Sequence, residues 1–533
     1  MSDARARSSV RFGRGAVVLA LAAVFVLAVP AFGYAATFVT GTVTDAGTTD
    51  PIAGATVGAY YDDGGTLNWV GEATTLANGT FTLDDDGLGA GDYEIYVSAE
   101  GYVAQWASQS WGGGAPLNQD FALVAAEVIA TGYVTDASTG DPIPSAMVDA
   151  SVFDSGSGSW MRAGYTFTDV SGFYTVYDSE QLGPDDYTLT CVTWGYESLS
   201  HDRTWNGADP LSVDFALEKL PPVIAVEGAD RFTTAVEVSK LAYPGGADGV
   251  IIATGRNWPD ALGGTALAGA LDVPILLVEP NAIPGAVADE IDRLDADWAI
   301  ILGGPNAVGT DVELALKTKF GSGPKDVERI AGDTRYETAD KIATRVLDAG
   351  GSGMCFVATG GNFPDALAAA PLAAAQRWPL LLAHPVTGFS DATKTIITDR
   401  IGYAVILGGT SAVSVATEQW LVGELDTLAV DRLDGANRYE TAVKVATWAV
   451  DEVGHEWDRV GITTGENFPD ALAGGVLQGQ RWSVMVLTPP ASLHPEVAAA
   501  LSGNAARIAQ VTFFGGTNAV SQAVRDAAVQ LIE

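Results

Sequence analysis

Two kinds of apolar patterning divide the chain. From Phe38 to about Leu217, short runs alternate β-branched or aromatic residues with small and polar ones. Gly, Asp and Pro interrupt them, which predicts short strands joined by turns. Beyond Leu220-Pro221-Pro222, a Pro pair suited to an extended linker, the pattern changes. Continuous apolar runs such as MCFVATG (354–360), WPLLLAHP (378–385) and YAVILGG (403–409) alternate with helical-period text such as ETADKIATRVLDAG. Runs of that kind suit strands buried on both faces, and strand–helix alternation predicts a parallel sheet covered on both sides. Thr334-x-x-Glu337 reads as a capping box that starts a helix at Arg335. Asn362-Phe-Pro-Asp is expected to open the next helix, with Pro364 in its first turn and Asp365 complementing its dipole.

Both halves repeat internally. In the first, GTVTDAGTTDPIAGATV (41–57) matches GYVTDASTGDPIPSAMV (132–148), and DFAL closes each copy at 120–123 and 214–217. Each copy is expected to form a small antiparallel sandwich of six or seven strands. The second half is threefold. Its first word is Gly-x-x-Arg-aromatic-x-Thr-Ala: GADRFTTA (228–235), GDTRYETA (332–339) and GANRYETA (435–442). The second is Asn-aromatic-Pro-Asp-Ala-Leu, beginning at Asn257, Asn362 and Asn467. The third is an apolar strand ending in Gly-Gly: AIILGGPNAV (299–308), AVILGGTSAV (404–413) and VTFFGGTNAV (511–520). Three words in constant order and at a constant period mean three copies of one unit, which share cores with their neighbours.

The G-x-V-x-D, D-P-I-x-x-A and D-Y-x-L motifs of the first half resemble the carboxypeptidase regulatory-like domain. That resemblance implies a transthyretin-like β-sandwich serving as a spacer or adhesion module, with no catalytic residues. The three words of the second half resemble the type 2 cell-wall-binding repeat over about 223–533. This implies three Rossmann-like α/β units in a pseudo-threefold arrangement, and non-covalent attachment of a secreted protein to an anionic polysaccharide or teichoic-like polymer of the bacterial wall. The expected domains are a signal peptide (1–36), two sandwiches (37–125 and 126–220, the latter with the linker) and three repeats (221–322, 323–428 and 429–533). The family's Ile-Leu-Leu strand word appears as Ile275-Leu276-Leu277, as Leu380-Leu381-Leu382 and, altered, within Val484-Met485-Val486-Leu487. By physics these are core residues that shape a groove, and the altered third copy puts equal binding by all three repeats in question.

Composition narrows the partners. A formal charge of −38 over 533 residues excludes a phosphate-backbone footprint, so no nucleic acid is expected. Arg5, Arg7, Arg11 and Arg14 precede an apolar stretch from Ala16 to Val29 and small residues at Gly33 and Ala35, the layout of a secretory signal. Membrane contact is expected only through that signal, and localisation at the cell wall or surface. Cys191 and Cys355 lie in different predicted domains, and the four histidines show no ligand spacing, so no metal or cofactor is expected. Asp84-Asp85-Asp86-Gly87 lacks EF-hand spacing and reads as a solvated turn. Trp106, Trp111, Trp160, Trp194 and Trp205 read as core or sheet-surface packing before they read as a sugar platform.

The candidate polymer-binding residues follow from the repeated words. Thr254-Gly255, Thr359-Gly360 and Thr464-Gly465 end buried strands, where backbone N–H groups beside a helix N-terminus favour anions. Arg231, Arg335 and Arg438 supply a planar cation in each copy. Asn257, Asn362 and Asn467, with Asp260, Asp365 and Asp470, open the following helices; the carboxylates either complete helix termini or compete with an incoming anion. No nucleophile elbow, zincin helix or phosphate loop is present, so binding is expected and not catalysis. The alternative is a hydrolase acting on envelope glycans, and a ligand on a host or another cell is the expectation for the sandwiches.

Overall fold

A computed structural model describes residues 37–63, 66–84, 90–154, 159–321, 323, 326–425 and 427–532. The expected signal peptide and most of the Asp84–Gly87 turn lie outside the described residues. Among those described, no helix is long and apolar enough to cross a membrane. The chain forms two compact units that divide between Leu220 and Pro221.

The first unit holds two copies of one sandwich. Strands β1 (Thr37–Asp45), β2 (Thr56–Asp63), β3 (Thr66–Thr74), β4 (Thr80–Asp84), β5 (Gly91–Ser98), β6 (Gln105–Trp111), β7 (Leu117–Asn118) and β8 (Phe121–Leu123) build the first. One sheet runs β3-β2-β5-β6; the other runs β4-β1-β7, with β8 also on β1. The second copy repeats this with β9 (Val128–Asp136), β10 (Met147–Asp154), β11 (Ser159–Phe167), β12 (Phe173–Tyr177), β13 (Asp185–Val192), β14 (Leu199–Trp205), β15 (Leu211–Ser212) and β16 (Phe215–Leu217).

The expectation of six or seven wholly antiparallel strands is corrected. Among the described residues each copy has eight, and its last two run parallel to its first. The aspartate of DFAL explains the break between them. Asp120 Oδ1 accepts from both the N–H and the hydroxyl of Thr42, each at 2.8 Å, and Asp214 Oδ1 accepts from Tyr133 N–H at 2.9 Å. The side chain takes over the ladder position that the backbone leaves. Glycine opposite is obligatory, because a Cβ on Gly41 would lie 1.8 Å from the Gln119 carbonyl oxygen. Trp111 and Trp205 are core residues, each indole donating to a backbone carbonyl, whereas Trp106 and Trp194 are exposed.

The second unit opens with β17 (Val223–Val226). Repeat one then contains α1 (Arg231–Ala242), β18 (Gly249–Thr254), α2 (Gly264–Leu271), β19 (Ile275–Val278), α3 (Gly285–Arg293), β20 (Trp298–Leu302) and α4 (Thr310–Phe320). Repeat two runs β21 (Val327–Ile330), α5 (Arg335–Asp348), β22 (Met354–Thr359), α6 (Pro364–Ala368), α7 (Ala370–Gln376), β23 (Leu380–Ala383), α8 (Asp391–Arg400), β24 (Tyr403–Leu407) and α9 (Val415–Leu425). Repeat three runs β25 (Val430–Leu433), α10 (Arg438–Val453), β26 (Glu456–Thr464), α11 (Pro469–Gln480), β27 (Ser483–Thr488), α12 (Pro495–Gly503), β28 (Val511–Phe514) and α13 (Gln522–Gln530).

Three parallel sheets result: β19-β18-β20-β21, β23-β22-β24-β25 and β27-β26-β28-β17. Each takes its fourth strand from the start of the next repeat, and the third takes it from the start of the first. The strand at the head of the unit therefore completes the sheet at its tail, and the repeats close on one another.

Where the repeats meet, α2, α7 and α11 approach backbone to backbone. A Cβ on Gly269 would fall 2.0 Å from the Ala374 carbonyl oxygen, and one on Gly475 would fall 2.5 Å from Ala370 Cβ. The Ala/Gly-rich text after the second word is thus a packing requirement. The aromatics of that word meet beside these helices. Phe363 lies 6.0 Å from Trp258 and 6.2 Å from Phe468, ring centre to ring centre.

The helix expected after Asn-aromatic-Pro-Asp differs among the copies. In repeat three α11 is continuous. In repeat two Pro371 has no N–H for the Leu367 carbonyl, and the helix divides into α6 and α7. In repeat one Gly263 and Gly264 weaken the first turn, residues 259–263 form turns, and α2 begins only at Gly264. The capping box is shifted by one residue. Thr334 Oγ1 accepts from Glu337 N–H, but Glu337 reaches back to the N–H of Asp333.

A guanidinium also anchors the first glycine of each Gly-Gly turn, from two different origins. Arg329 and Arg432, on β21 and β25, donate to the Gly303 and Gly408 carbonyls at 2.7 Å and pair with Glu313 and Glu418 on the preceding helices. In repeat three the charges exchange places. The helix carries Arg525, which donates to Gly515 O at 2.8 Å and pairs with Glu227 just beyond β17. Ala225 fills the strand position opposite Phe513 that Arg329 and Arg432 fill opposite Ile301 and Ile406. A groove of about 530 Å³ remains beside Ala225.

Arg525→Glu should therefore destabilise the second unit by about 3 kcal/mol, since it sets an unpaired charge beside Glu227. Adding Ala225→Arg recreates the arrangement of the other two repeats and should recover at least half of that loss in denaturant melts.

Candidate functional site

Each sheet has a switch point between its two inner strands. From β18 the chain leaves to β19 on one side, and β20 lies on the other, so a crevice opens beyond their carboxyl ends. Thr254-Gly255 and Gly303-Gly304 border it in repeat one, with equivalents in the other copies.

The second and third words meet here. The Asp260 carboxylate lies against Gly303, where a Cβ would be 2.7 Å from Oδ2; the distances are 2.4 Å for Asp365 on Gly408 and 2.3 Å for Asp470 on Gly515. All three glycines also have φ between +91° and +94°. The aspartate and the left-handed backbone together dictate the first glycine of each Gly-Gly ending.

The first word holds the other wall. Gly228, Gly332 and Gly435 donate their N–H to Thr234, Thr338 and Thr441 Oγ1, each at 3.1 Å. Arg231, Arg335 and Arg438 donate through Nη1 to the carbonyls of Gly255, Gly360 and Gly465 at 2.5, 2.8 and 2.5 Å. The rings of Phe232, Tyr336 and Tyr439 lie on those same glycines, with 2.3–2.7 Å left for any Cβ. The glycine of Thr-Gly is therefore a seat for its own repeat's aromatic and arginine.

This corrects the expectation that the turn amides stand open to an anion. Gly255, Gly360 and Gly465 N–H groups extend the strand ladder to Val278, Ala383 and Thr488. Thr254, Thr359 and Thr464 Oγ1 accept from the N–H of Arg256, Gly361 and Glu466. Asn257, Asn362 and Asn467 Oδ1 accept from the following aromatic residue's N–H. The turns are internally satisfied, which leaves the arginines and aspartates as the groups that address the crevice.

Those two groups come from neighbouring repeats. Asp365 of repeat two accepts from the Thr441 hydroxyl and faces Arg438, both of repeat three. Asp470 of repeat three faces Arg231 of repeat one. Asp260 of repeat one and Arg335 of repeat two line one cleft, and the Arg335 guanidinium stacks 4.8 Å from the Trp258 ring centre. Burial raises the Asp365 carboxyl above its usual range, against the opposing pull of Thr441 and Arg438. Burial pushes Asp470 up to about 6, with Arg231 opposing.

The cleft between repeats three and one measures about 640 Å³ and is lined by Arg231, Arg256, Glu279, Glu466, Asp470 and Asn518 among others. That between repeats one and two measures about 480 Å³. Arg256, which lines both and forms a fork-like pair with Glu279, was not singled out by the sequence. Its position reads Arg, Gly and Glu across the copies, so comparing the repeated words conceals it. The Ile275–Leu277, Leu380–Leu382 and Val484–Leu487 segments are buried strand residues and line neither of these two clefts. Among the described residues, no group of three His, Cys, Asp or Glu side chains is placed to hold a metal ion.

Comparison with known proteins gives the following. The cell wall binding domain 2 family model matches residues 225–313, 329–418 and 432–525, and the carboxypeptidase regulatory-like domain model matches 38–124. The chain is 28% identical over 264 residues to the N-acetylmuramoyl-L-alanine amidase LytC of Bacillus subtilis, covering 49% of each protein. It is 29% identical over 299 residues to the Amidase enhancer of the same organism, covering 56% of this chain and 39% of that one. It thus spans half or less of the length of these curated relatives. Two solved structures from Clostridium difficile, Cwp6 and Cwp8, share the fold at 18% identity with TM-scores of 0.54 and 0.53. They cover 76% and 89% of this chain, and 68% and 80% of their own chains are covered.

Asp470 makes the unit's stability pH-dependent in a stated direction. With its folded-state pKa raised to about 6 from 3.8, the folded protein holds a proton that the unfolded chain has released, so stability falls as pH rises from about 4 through 6. Asp470→Asn should flatten that window and melt above the parent protein at pH 7, as thermal melts of the second unit between pH 4 and 7 will register.

Proposed function

The chain belongs to the cell wall binding domain 2 family, and on that basis we propose that it is a secreted protein held non-covalently at the bacterial cell wall by its three repeats, with the sandwiches displayed as spacer or adhesion domains. The repeats act as Rossmann-like units around a pseudo-threefold axis, with clefts at the boundaries of repeat one with repeats two and three. The observation that carries this reading is the repeated opposition of an aspartate from one repeat and an arginine from the next, in a crevice wide enough for a polymer segment.

The ligand this chemistry suits is an anionic polysaccharide or teichoic-like polymer. A phosphate or carboxylate entering a cleft offers the guanidinium a planar partner in place of the aspartate. The aspartate it displaces becomes neutral most readily where burial has already raised its pKa, at Asp470 and Asp365. The displaced carboxylate thus takes up a proton and does not remain a buried unpaired charge, and the polymer gains the arginine at modest cost. The chain's charge of −38 repels a polyanion at long range, so no single cleft binds tightly and simultaneous engagement of several supplies the hold.

Catalysis is not the reading the site favours. The same arginine and aspartate recur at each repeat boundary, and each arginine already donates to the backbone of its own repeat. The curated relatives include an amidase, but nothing in these clefts resembles a nucleophile with its base.

Two outcomes are expected in co-sedimentation with isolated cell walls. Mild acid extraction of anionic polymer should abolish binding by the full chain. Binding to intact walls should strengthen as pH falls from 7 through about 6, because Asp470 then releases Arg231. Equal binding to extracted walls, or binding that weakens on acidification, would contradict the assignment.

A further inference from the structure

The first sandwich carries an aromatic row that its fold does not require. On the outward face of the β3-β2-β5-β6 sheet, Trp69, Tyr60, Tyr96 and Trp106 come one from each strand. Tyr60 stands opposite Trp69, and Tyr96 opposite Trp106. Ring centres are 5.1 Å apart for Tyr60–Trp69, 5.8 Å for Tyr60–Trp106 and 4.8 Å for Tyr96–Trp106, so the rings form one continuous strip. Both tryptophans are 49% exposed, whereas Tyr60, packed between them, is 9% exposed. The Trp69 ring lies over Gly58, where a Cβ would come 3.0 Å from it.

The second sandwich provides an internal control. It has the same sheet and the same bulge, between Ala150 and Ser151 where the first has Ala59 and Tyr60. At the four equivalent positions it carries Arg162, Ser151, Thr190 and Ser200. The scaffold folds without aromatic residues there, so exposed tryptophans at those sites are not a structural necessity.

Charge limits what the strip can bind. Residues 37–125 contain no Lys, Arg or His at all, so nothing in this sandwich can grip an anion. Acceptors surround the rings instead. Glu94 lies opposite Tyr60 and is held by the Ser108 hydroxyl at 2.5 Å, Asp92 is held by Ser110, and Glu72 lies near the Tyr60 hydroxyl. Glu180 and Tyr165 of the second sandwich face Tyr96 at the strip's far end. A small cation would need rings on several sides, whereas these rings follow one another in the order Trp69, Tyr60, Trp106 and Tyr96, from strands spread over three spacings, about 14 Å. That form suits an extended chain with flat apolar C–H faces and hydroxyl edges: the faces stack on the rings, and the hydroxyls donate to the carboxylates.

We propose that this strip is a binding site for a neutral, extended β-1,4-linked glycan, separate from the anionic-polymer clefts of the repeats. The test uses the full chain in titration calorimetry against cellohexaose, chitohexaose, hexagalacturonate and hexalysine. At least one neutral hexasaccharide should bind and hexagalacturonate should not. Trp69→Ala with Trp106→Ala should weaken that binding about tenfold or more, in line with one to a few kcal/mol per stacked ring. Trp194→Ala, an exposed tryptophan off the strip, should leave it unchanged, and unaltered melting of all variants shows that folding is intact. The proposal is overturned if neither neutral hexasaccharide binds, if the double variant binds as the parent does, or if hexalysine binds as tightly through the same tryptophans.

Discussion

The second unit depends on one contact made three times: an aspartate side chain laid on a glycine turn of its own repeat and turned toward the next repeat's first helix. The turn has no room for a side chain because the carboxylate occupies it. At Asp365 and Asp470 the carboxylate in turn needs the neighbour's arginine or threonine, because burial makes its charge costly alone. One residue thereby joins the strand end, the helix start and the inter-repeat boundary. At Asp470, whose carboxyl burial pushes up to about 6, the same residue also stands close to neutralisation.

Closure follows from the same economy of parts. Each repeat leaves a sheet one strand short, and the missing strand is always the next repeat's first. A chain of such units can end only on an exposed sheet edge or on its own beginning, and here β17 completes the sheet of β28. The exchange of Arg and Glu between strand and helix in the third copy shows what the closure demands. A guanidinium must reach the Gly515 carbonyl, and whether helix or strand delivers it is immaterial provided the acid lies opposite. The alanine- and glycine-rich helices answer a different demand, that three backbones meet closely beside the row of Trp258, Phe363 and Phe468.

Much of this was legible in the sequence because repetition separates what the fold requires from what it tolerates. Every invariant residue of the three words has a contact: the arginine on the Thr-Gly carbonyl, the threonine on the first glycine's amide, the aspartate on the Gly-Gly turn. What was not legible lies in relations between words. That Asp365 meets Thr441 and Arg438, or Asp470 meets Arg231, depends on which repeats are neighbours in space, which periodicity does not encode. The turn amides looked available because Thr-Gly beside a helix start is a common anion seat; threonine hydroxyls and the adjoining strands had already taken them. In the sandwiches, the eighth strand and the parallel return came from Asp120 and Asp214 substituting for backbone, an event that alternation patterns do not mark. The tryptophans divided by strand face, with Trp111 and Trp205 inward and Trp106 outward, so one residue type carried two roles.

The most direct test is a carboxyl NMR titration of Asp470 with and without a purified anionic wall polymer. A value near 6 in the free protein, rising when polymer engages Arg231, is the predicted result. A value near 3.8, or one that polymer leaves unmoved while it binds, would contradict the account.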